Sequence, residues 1–331
     1  MRTARIKVDA GKAAAVYHCM SRTVNGERLF DDLAKEVLRK QLWSIADYCG
    51  VQIVTYAIMA NHFHVLVQVP QRQQVEDTEL LRRYGVLYPK PTRFQTARID
   101  EIKRKLTTNE PEAEAWRTQQ LALMGDVSMF MKLLKHRFTK WFNRTHGRYG
   151  TLWSERFKSV LVEPKSGVLK TMAAYIDLNA VRAGLANDPK DYRFCGYAEA
   201  VAGRVAARRG ITGLIEGAKR RTWDWAHSSY RELLFGKGTR VRTDSARVAK
   251  EHLNDILRRG GRLPLTTVLR CRIRYFSDGA VLGSREFVQA QLVRYRRKNG
   301  RRKHASPQAL PDVTEWGKIT TLRGLRRQTF G

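Results

Sequence analysis

Acidic side chains are scarce in this chain. Only 31 Asp+Glu stand against 62 Lys+Arg, a formal net charge of +31 over 331 residues. Such an excess repels other cations and draws in polyanions, so nucleic acid is the first partner expected and an anionic membrane surface the second. Cysteine is nearly absent too. Cys19, Cys49, Cys195 and Cys271 form no CxxC pair, which argues against a zinc ribbon or a disulfide framework and fits a reducing cytoplasm. The longest stretch without Asp, Glu, Lys or Arg, 48–71, contains Gln52, Asn61, His62, His64, Gln68 and Pro70. A bilayer span would have to bury those polar groups unpaired, so no membrane association is expected. No apolar run of signal-peptide length follows Met1. No glycine-rich phosphate loop is present either, and no nucleotide cofactor is expected. What is present is 43% apolar residues, enough for a real core.

The hydrophobic periodicity divides the chain. Residues 13–23 read as a strand closed by the turn pair Asn25-Gly26. In 29–49, Phe30, Leu33, Val37, Leu38, Leu42, Ile45 and Cys49 fall at helical spacing, with Asp31 and Asp32 at the start and Gly50 at the end. Residues 51–59 and 62–69 are two β-rich runs around Ala60-Asn61, a hairpin. The polar segment 71–125, with Pro89, Pro91 and Pro111, reads as an insert of one or two short helices. Asp126 caps a helix to about residue 143, followed by a strand over 153–163 and a helix over 167–184. This order predicts an α+β fold, a ferredoxin-like (split βαβ) sandwich with an antiparallel sheet and a helical insert. Beyond residue 200 the pattern weakens, and 258–303 holds 14 Lys+Arg against two acids. The expected division is a catalytic domain over 1–200 and a basic, mostly helical DNA-binding or accessory module over 201–331. Removing 258–331 is expected to leave the catalytic fold intact.

Two clusters can carry chemistry. In Asn61-His62-Phe63-His64-Val65, the period of a strand puts His62 and His64 on one face and Phe63 on the other. Two imidazoles on a rigid strand suit a divalent metal, and the same spacing suits two half-buried histidines bonded to backbone or water. In Tyr175-Ile176-Asp177-Leu178-Asn179-Ala180-Val181-Arg182, helical spacing puts Tyr175, Asn179 and Arg182 on one face. That set reads as nucleophile, ligand and phosphate clamp, or as a packed aromatic beside a helix-end amide. His18, His136 and His146 read as structural or DNA-facing rather than as ligands. Trp141, Phe142, Trp153, Trp223 and Trp225 are candidates for stacking on bases, while Tyr192 and Tyr197 read as packing residues.

Together, YHCMSR (17–22), NHFHVLV (61–67), NRTHGRYGTLWSERFKS (143–159), YIDLNAVRAGLA (175–186) and DYRFCGY (191–197) resemble the REP-associated tyrosine transposases. These are single-tyrosine HUH nucleases related to the transposases of the smallest bacterial insertion sequences. RYFSDGAVLGSREFV (274–288) is similar to a stretch in longer members. The resemblance implies that His62 and His64 bind Mg²⁺ or Mn²⁺, that Tyr175 is the nucleophile and that Asn179 is the third metal ligand. The family commonly has Pro after that Asn, where this chain has Ala180; a proline would constrain the helix turn.

The implied activity is metal-dependent cleavage and strand transfer of single-stranded DNA near hairpin-forming repeats, through a covalent 5′-phosphotyrosine, in the cytoplasm at the nucleoid. Arg182, Lys132, Lys135, Lys140, Arg144, Arg156 and Lys158 are the expected DNA contacts. The departure at Ala180 keeps a second class open, a sequence-specific nucleic-acid-binding regulator with little cleavage. A zinc-dependent RNA-binding protein fits less well, because no Cys lies near the His pair.

Overall fold

The structure, a computed structural model, describes residues 5–215, 222–235, 275–299, 305–310 and 319–323. Its centre is the predicted split βαβ sheet. Strand β1 (Ala15–Arg22) lies between β3 (His62–Val69) and β4 (Lys158–Val162), and β2 (Gln52–Ile58) pairs with the far side of β3. All three pairings are antiparallel. The helix between β1 and β2, α1 (Asp32–Cys49), starts where the Asp31 carboxylate accepts from the Ala34 N–H at 2.7 Å.

Three helices fill the insert, where one or two were expected: α2 (Asp77–Val86), α3 (Arg93–Thr107) and α4 (Pro111–Leu121). A capping box of Thr92 and Gln95 opens α3, and Pro111 opens α4. The insert is fastened to α1 by Arg82–Asp47 at 2.7 Å and by Tyr48 Oη donating to Gln120 Oε1 at 2.8 Å. Helix α5 (Val127–Thr145) begins as predicted, with Asp126 accepting from the N–H groups of Ser128 and Met129. It buries Phe130, Leu134, Phe138 and Phe142. Phe138 meets Phe30 and Trp153, and Trp153 meets Phe63. Phe63 points away from its neighbours His62 and His64, so α1 and α5 lie under the sheet face opposite the histidines.

Helix α6 (Ser166–Asp177) covers the histidine face, packed on β2 and β3. The predicted helix over 167–184 is divided at Leu178, where ψ is 2°, before the short α7 (Asn179–Arg182). Asp177 at the end of α6 is completely buried. It accepts from Thr55 Oγ1 and Tyr230 Oη, both at 2.6 Å, and from the Tyr197 N–H at 3.4 Å. Those partners come from β2, α10 (Trp223–Phe235) and α8 (Gly196–Val201), so one carboxyl ties four elements together. Tyr192 and Tyr197 are both buried, as read. Helix α9 (Val205–Leu214) crosses β2 so closely that a Cβ on Gly210 would lie 2.2 Å from the Val54 carbonyl oxygen. Only glycine fits there.

The described residues beyond 200 are helical in α9, α10, α11 (Tyr275–Asp278) and α12 (Arg285–Asn299). They also supply three strands: β5 (Val281–Gly283), β6 (Ser306–Ala309) and β7 (Thr320–Arg323). Strand β5 runs parallel to β4, and the sheet continues through β7 to β6, giving the order β2-β3-β1-β4-β5-β7-β6. The C-terminal segment thus shares a sheet with the first 200 residues. Much of the densest basic stretch, including 258–274, lies outside the described residues. No helix among the described residues is long and apolar enough to cross a membrane.

Candidate functional site

The register of the sheet assembles the site. His62 pairs with Arg22 and His64 with Met20, so His62, His64, Met20 and Arg22 share the face covered by α6. His18 pairs with Leu66, which makes it the diagonal neighbour of His64 on that face. Its Nε2 lies 2.9 Å from His64 Nδ1, and the two rings stack at 5.1 Å and 20°. His18, read from the sequence as structural or DNA-facing, is therefore part of the histidine cluster.

Hydrogen bonding fixes the tautomers. His18 Nδ1 is 3.0 Å from the carbonyl oxygen of Phe276, which only accepts, so that nitrogen carries a hydrogen. With neutral rings, His18 Nε2 then accepts from His64 Nδ1–H, and the lone pair of His64 Nε2 remains. His62 Nδ1 is 2.7 Å from the Asn61 amide oxygen, whose amide nitrogen donates to the Gly26 carbonyl at 2.8 Å. That orientation makes His62 Nδ1 a donor, so Nε2 is the nitrogen through which His62 can accept or ligate. Burial foremost, then the cations around it, push the His64 pKa well below the usual histidine range. A neutral imidazole held through its other nitrogen is the form that ligates a metal, so the pair fits a divalent ion. The His62 and His64 rings are 5.1 Å apart and nearly perpendicular. Among the described residues, no group of three or more His, Cys, Asp and Glu side chains is placed to hold a metal, so any third ligand drawn from those residues is of another type.

Tyr175 stands over this cluster, its ring 6.2 Å from those of both His18 and His64 and 4.8 Å from Phe276. Its hydroxyl makes no hydrogen bond to a described residue. The Arg182 guanidinium lies 4.2 Å over the Tyr175 ring and donates to the Tyr175 carbonyl at 2.6 Å. Asn179 is turned back on the helix, its amide nitrogen donating to the carbonyls of Ile176 at 3.0 Å and Tyr175 at 3.3 Å. Its amide oxygen is not engaged by those bonds. The structure therefore brings His62, His64, Tyr175 and Arg182 together, and no contact of Asn179 with either histidine is seen.

The expected DNA contacts are dispersed. Lys132 and Lys140 are exposed on α5, across the sheet from the histidines. Lys135 donates to the Glu155 carbonyl at 2.8 Å and lies over Trp153, and burial lowers its pKa to about 8. Arg144 is exposed in the last turn of α5, and Arg156 is exposed between Trp153 and β4. Lys158 pairs across β1 with Met20, on the histidine face, and bonds Glu155 at 2.9 Å. Among the proposed stacking residues, Phe142 and Trp153 belong to the core, Trp223 stacks on His227, and Trp225 is exposed. Arg22, Asn61 and Phe276 went unassigned in the sequence reading. Arg22 and Asn61 lie inside the quoted motifs YHCMSR and NHFHVLV and were within its reach; Phe276 acts through its backbone carbonyl, which no sequence pattern signals.

The fold and site define a class, an α+β sandwich with a His-x-His pair on one sheet face and a tyrosine on the covering helix. Residues 12–79, from just before β1 into α2, match the family described as "Transposase IS200 like". That match bears out the family resemblance over the segment holding His18, Arg22, Asn61, His62 and His64, and it stops short of Tyr175. Among solved structures, that of a REP-associated tyrosine transposase bound to a REP hairpin is similar at 14% identity, with a TM-score of 0.35. The similarity spans 67% of this chain and 94% of that one, and is too distant to assign residue roles. No curated protein matches the chain significantly.

Proposed function

We propose that this protein cleaves and rejoins single-stranded DNA beside hairpin-forming repeats, with Tyr175 as the nucleophile and a divalent ion, Mg²⁺ or Mn²⁺, as cofactor. The observation that supports this most directly is the tyrosine itself. Its ring lies 6.2 Å from His64 and its hydroxyl makes no hydrogen bond to a described residue, over a sheet face whose His62 and His64 imidazoles are oriented by bonds at Nδ1. His62 and His64 would hold the ion through Nε2, with the amide oxygen of Asn179 as third ligand. When bound, such an ion neutralises phosphate charge and orients the scissile bond.

The chain's own residues do the rest. The Tyr175 oxygen attacks phosphorus as its proton leaves, and the bond to the departing 3′-oxygen breaks as that oxygen gains a proton. The products are a 5′-phosphotyrosine and a free 3′-hydroxyl. Arg182 puts positive charge beside the ring where negative charge develops. The reverse attack by a 3′-hydroxyl restores tyrosine and joins a strand, so no ATP is needed.

Labelled single-stranded DNA carrying a hairpin, incubated with the protein and Mn²⁺, should give a denaturant-resistant adduct. Tyr175→Phe should give none, while binding stays within about threefold (about 0.6 kcal/mol) of the parent. An adduct with the Phe variant would assign the nucleophile elsewhere. The inward turn of the Asn179 amide favours a second reading, a nucleic-acid-binding regulator without cleavage, and binding with no adduct from the parent protein would select it.

A further inference from the structure

The loop between α5 and β4 holds the most exposed large aromatic among the described residues. Tyr149 is 96% exposed, in a fold whose other large aromatics are mostly core. It is not on a loose tip. The Arg148 N–H donates to the Asn143 carbonyl at 2.9 Å, and the Asn143 amide donates to the Gly150 carbonyl at 3.0 Å. His146 is stacked on Phe142 at 4.0 Å, and Gly147 and Gly150 take the left-handed backbone that closes the turn. The loop is tied to the end of β1 as well. Val24 N–H donates to the Leu152 carbonyl and Ser154 N–H to the Arg22 carbonyl, both at 3.0 Å. Arg22 is the cross-strand partner of His62. Tyr149 is three residues from Leu152, a reach of at most about 10 Å, so it is presented at the same end of the sheet as the histidine pair.

The charge along its own loop is mostly of one sign. No Asp or Glu occurs from 127 to 154; the next acid in sequence, Glu155, is paired with Lys158 at 2.9 Å, and Glu27 in the facing loop accepts from the Asn25 amide at 3.2 Å. Arg22, Arg144, Arg148 and Arg156 make no side-chain hydrogen bond or ion pair with any described residue. An exposed ring amid unpaired guanidinium groups suits a chain that offers both flat faces and phosphates, and an unpaired nucleic-acid strand is such a chain. A duplex offers the phosphates and keeps its base faces stacked away.

We infer that Tyr149 is a stacking platform for an unpaired nucleotide of the single strand entering the site, with Arg148 and Arg22 on its phosphates. This rests on the reading of the site as a single-strand DNA site, and it adds the residue that distinguishes strand from duplex. Binding can be measured without cleavage, by fluorescence anisotropy with a chelator present, on a short single-stranded oligodeoxynucleotide and on a blunt hairpin with no unpaired flank. Tyr149→Ala should weaken single-strand binding by about 5- to 150-fold and leave the blunt hairpin unchanged, while Tyr149→Phe binds as the parent. The salt dependence of Tyr149→Ala should match the parent, because no charge is lost, whereas Arg148→Ala should flatten the slope of log K against log salt by about 0.7. Circular dichroism of the exposed-site variants confirms the fold. Parent-like single-strand binding by Tyr149→Ala overturns the inference, as does an equal loss on the blunt hairpin or an equal loss in Tyr149→Phe. Absence of a covalent adduct would overturn the proposed chemistry and leave this binding result standing.

Discussion

Burial of Asp177 converts directly into a slope of stability with pH. Its carboxyl is fully buried, and burial pushes its pKa from 3.8 up to about 7, against the lowering effect of its bonds from Thr55, Tyr230 and the Tyr197 N–H. The folded protein thus holds this proton more tightly than the unfolded chain does. Its contribution to stability is full below the unfolded value of 3.8 and is lost as the pH rises through about 7. Linkage puts the loss between pH 5 and pH 8 at about 2–3 kcal/mol. Asp177→Asn keeps the shape and removes the titration. Its amide oxygen can accept from Thr55 and the Tyr197 N–H, and its amide nitrogen can donate to the Tyr230 oxygen. Urea unfolding of both proteins from pH 5 to pH 8, with a chelator present, isolates this group because the other titrations cancel in the difference. The variant should gain about 2–3 kcal/mol on the parent across that range. A difference that stays flat within about 0.5 kcal/mol, the precision of the extrapolation, would refute the burial argument and leave Asp177 ionised in the fold.

Two further predictions concern the cluster around Tyr175. His18→Phe should weaken Mn²⁺ affinity by about 10- to 100-fold, because His64 loses the partner that fixes its tautomer; Mn²⁺ titration followed by electron paramagnetic resonance reads this without DNA, and unchanged affinity would remove His18 from the site. Phe276→Ala should cost about 3–5 kcal/mol of unfolding free energy, since a fully buried ring is lost, and a denaturation midpoint equal to the parent's would show that α11 is not seated on Tyr175.

The same contact bears on the expectation that removing 258–331 leaves the catalytic fold intact. None of the five motifs assigned to the catalytic region lies in that segment, yet it supplies the Phe276 ring and carbonyl and the strand that borders β4. Those strands were illegible because they are three or four residues long, too short for alternation to show. The long elements were readable for the opposite reason. The run from Phe30 to Cys49 repeats at helical spacing for five turns, and His62 to Val69 alternates faces, so α1, β3 and the shared face of His62 and His64 all followed from period. The strand expected over 153–163 shrank to Lys158–Val162, because Trp153 and Phe157 bury their rings from irregular backbone. His18 escaped notice because meeting His64 depends on register, which pairs it with Leu66, and no local pattern encodes register. Tyr149 escaped because exposure is a property of the fold.

The bond from His18 to the Phe276 carbonyl joins residues 258 positions apart. During synthesis the histidine pair, the tyrosine and its arginine have all left the ribosome while that carbonyl is still unmade. Until it arrives, His18 lacks the acceptor that sets its own tautomer, and through it that of His64. Closing so long a loop is slow compared with forming the local elements. The chain therefore forms its sheet and covering helices well before the histidine cluster is set, an order in which, on the proposed function, an unfinished copy could touch DNA but would be poorly arranged to break it.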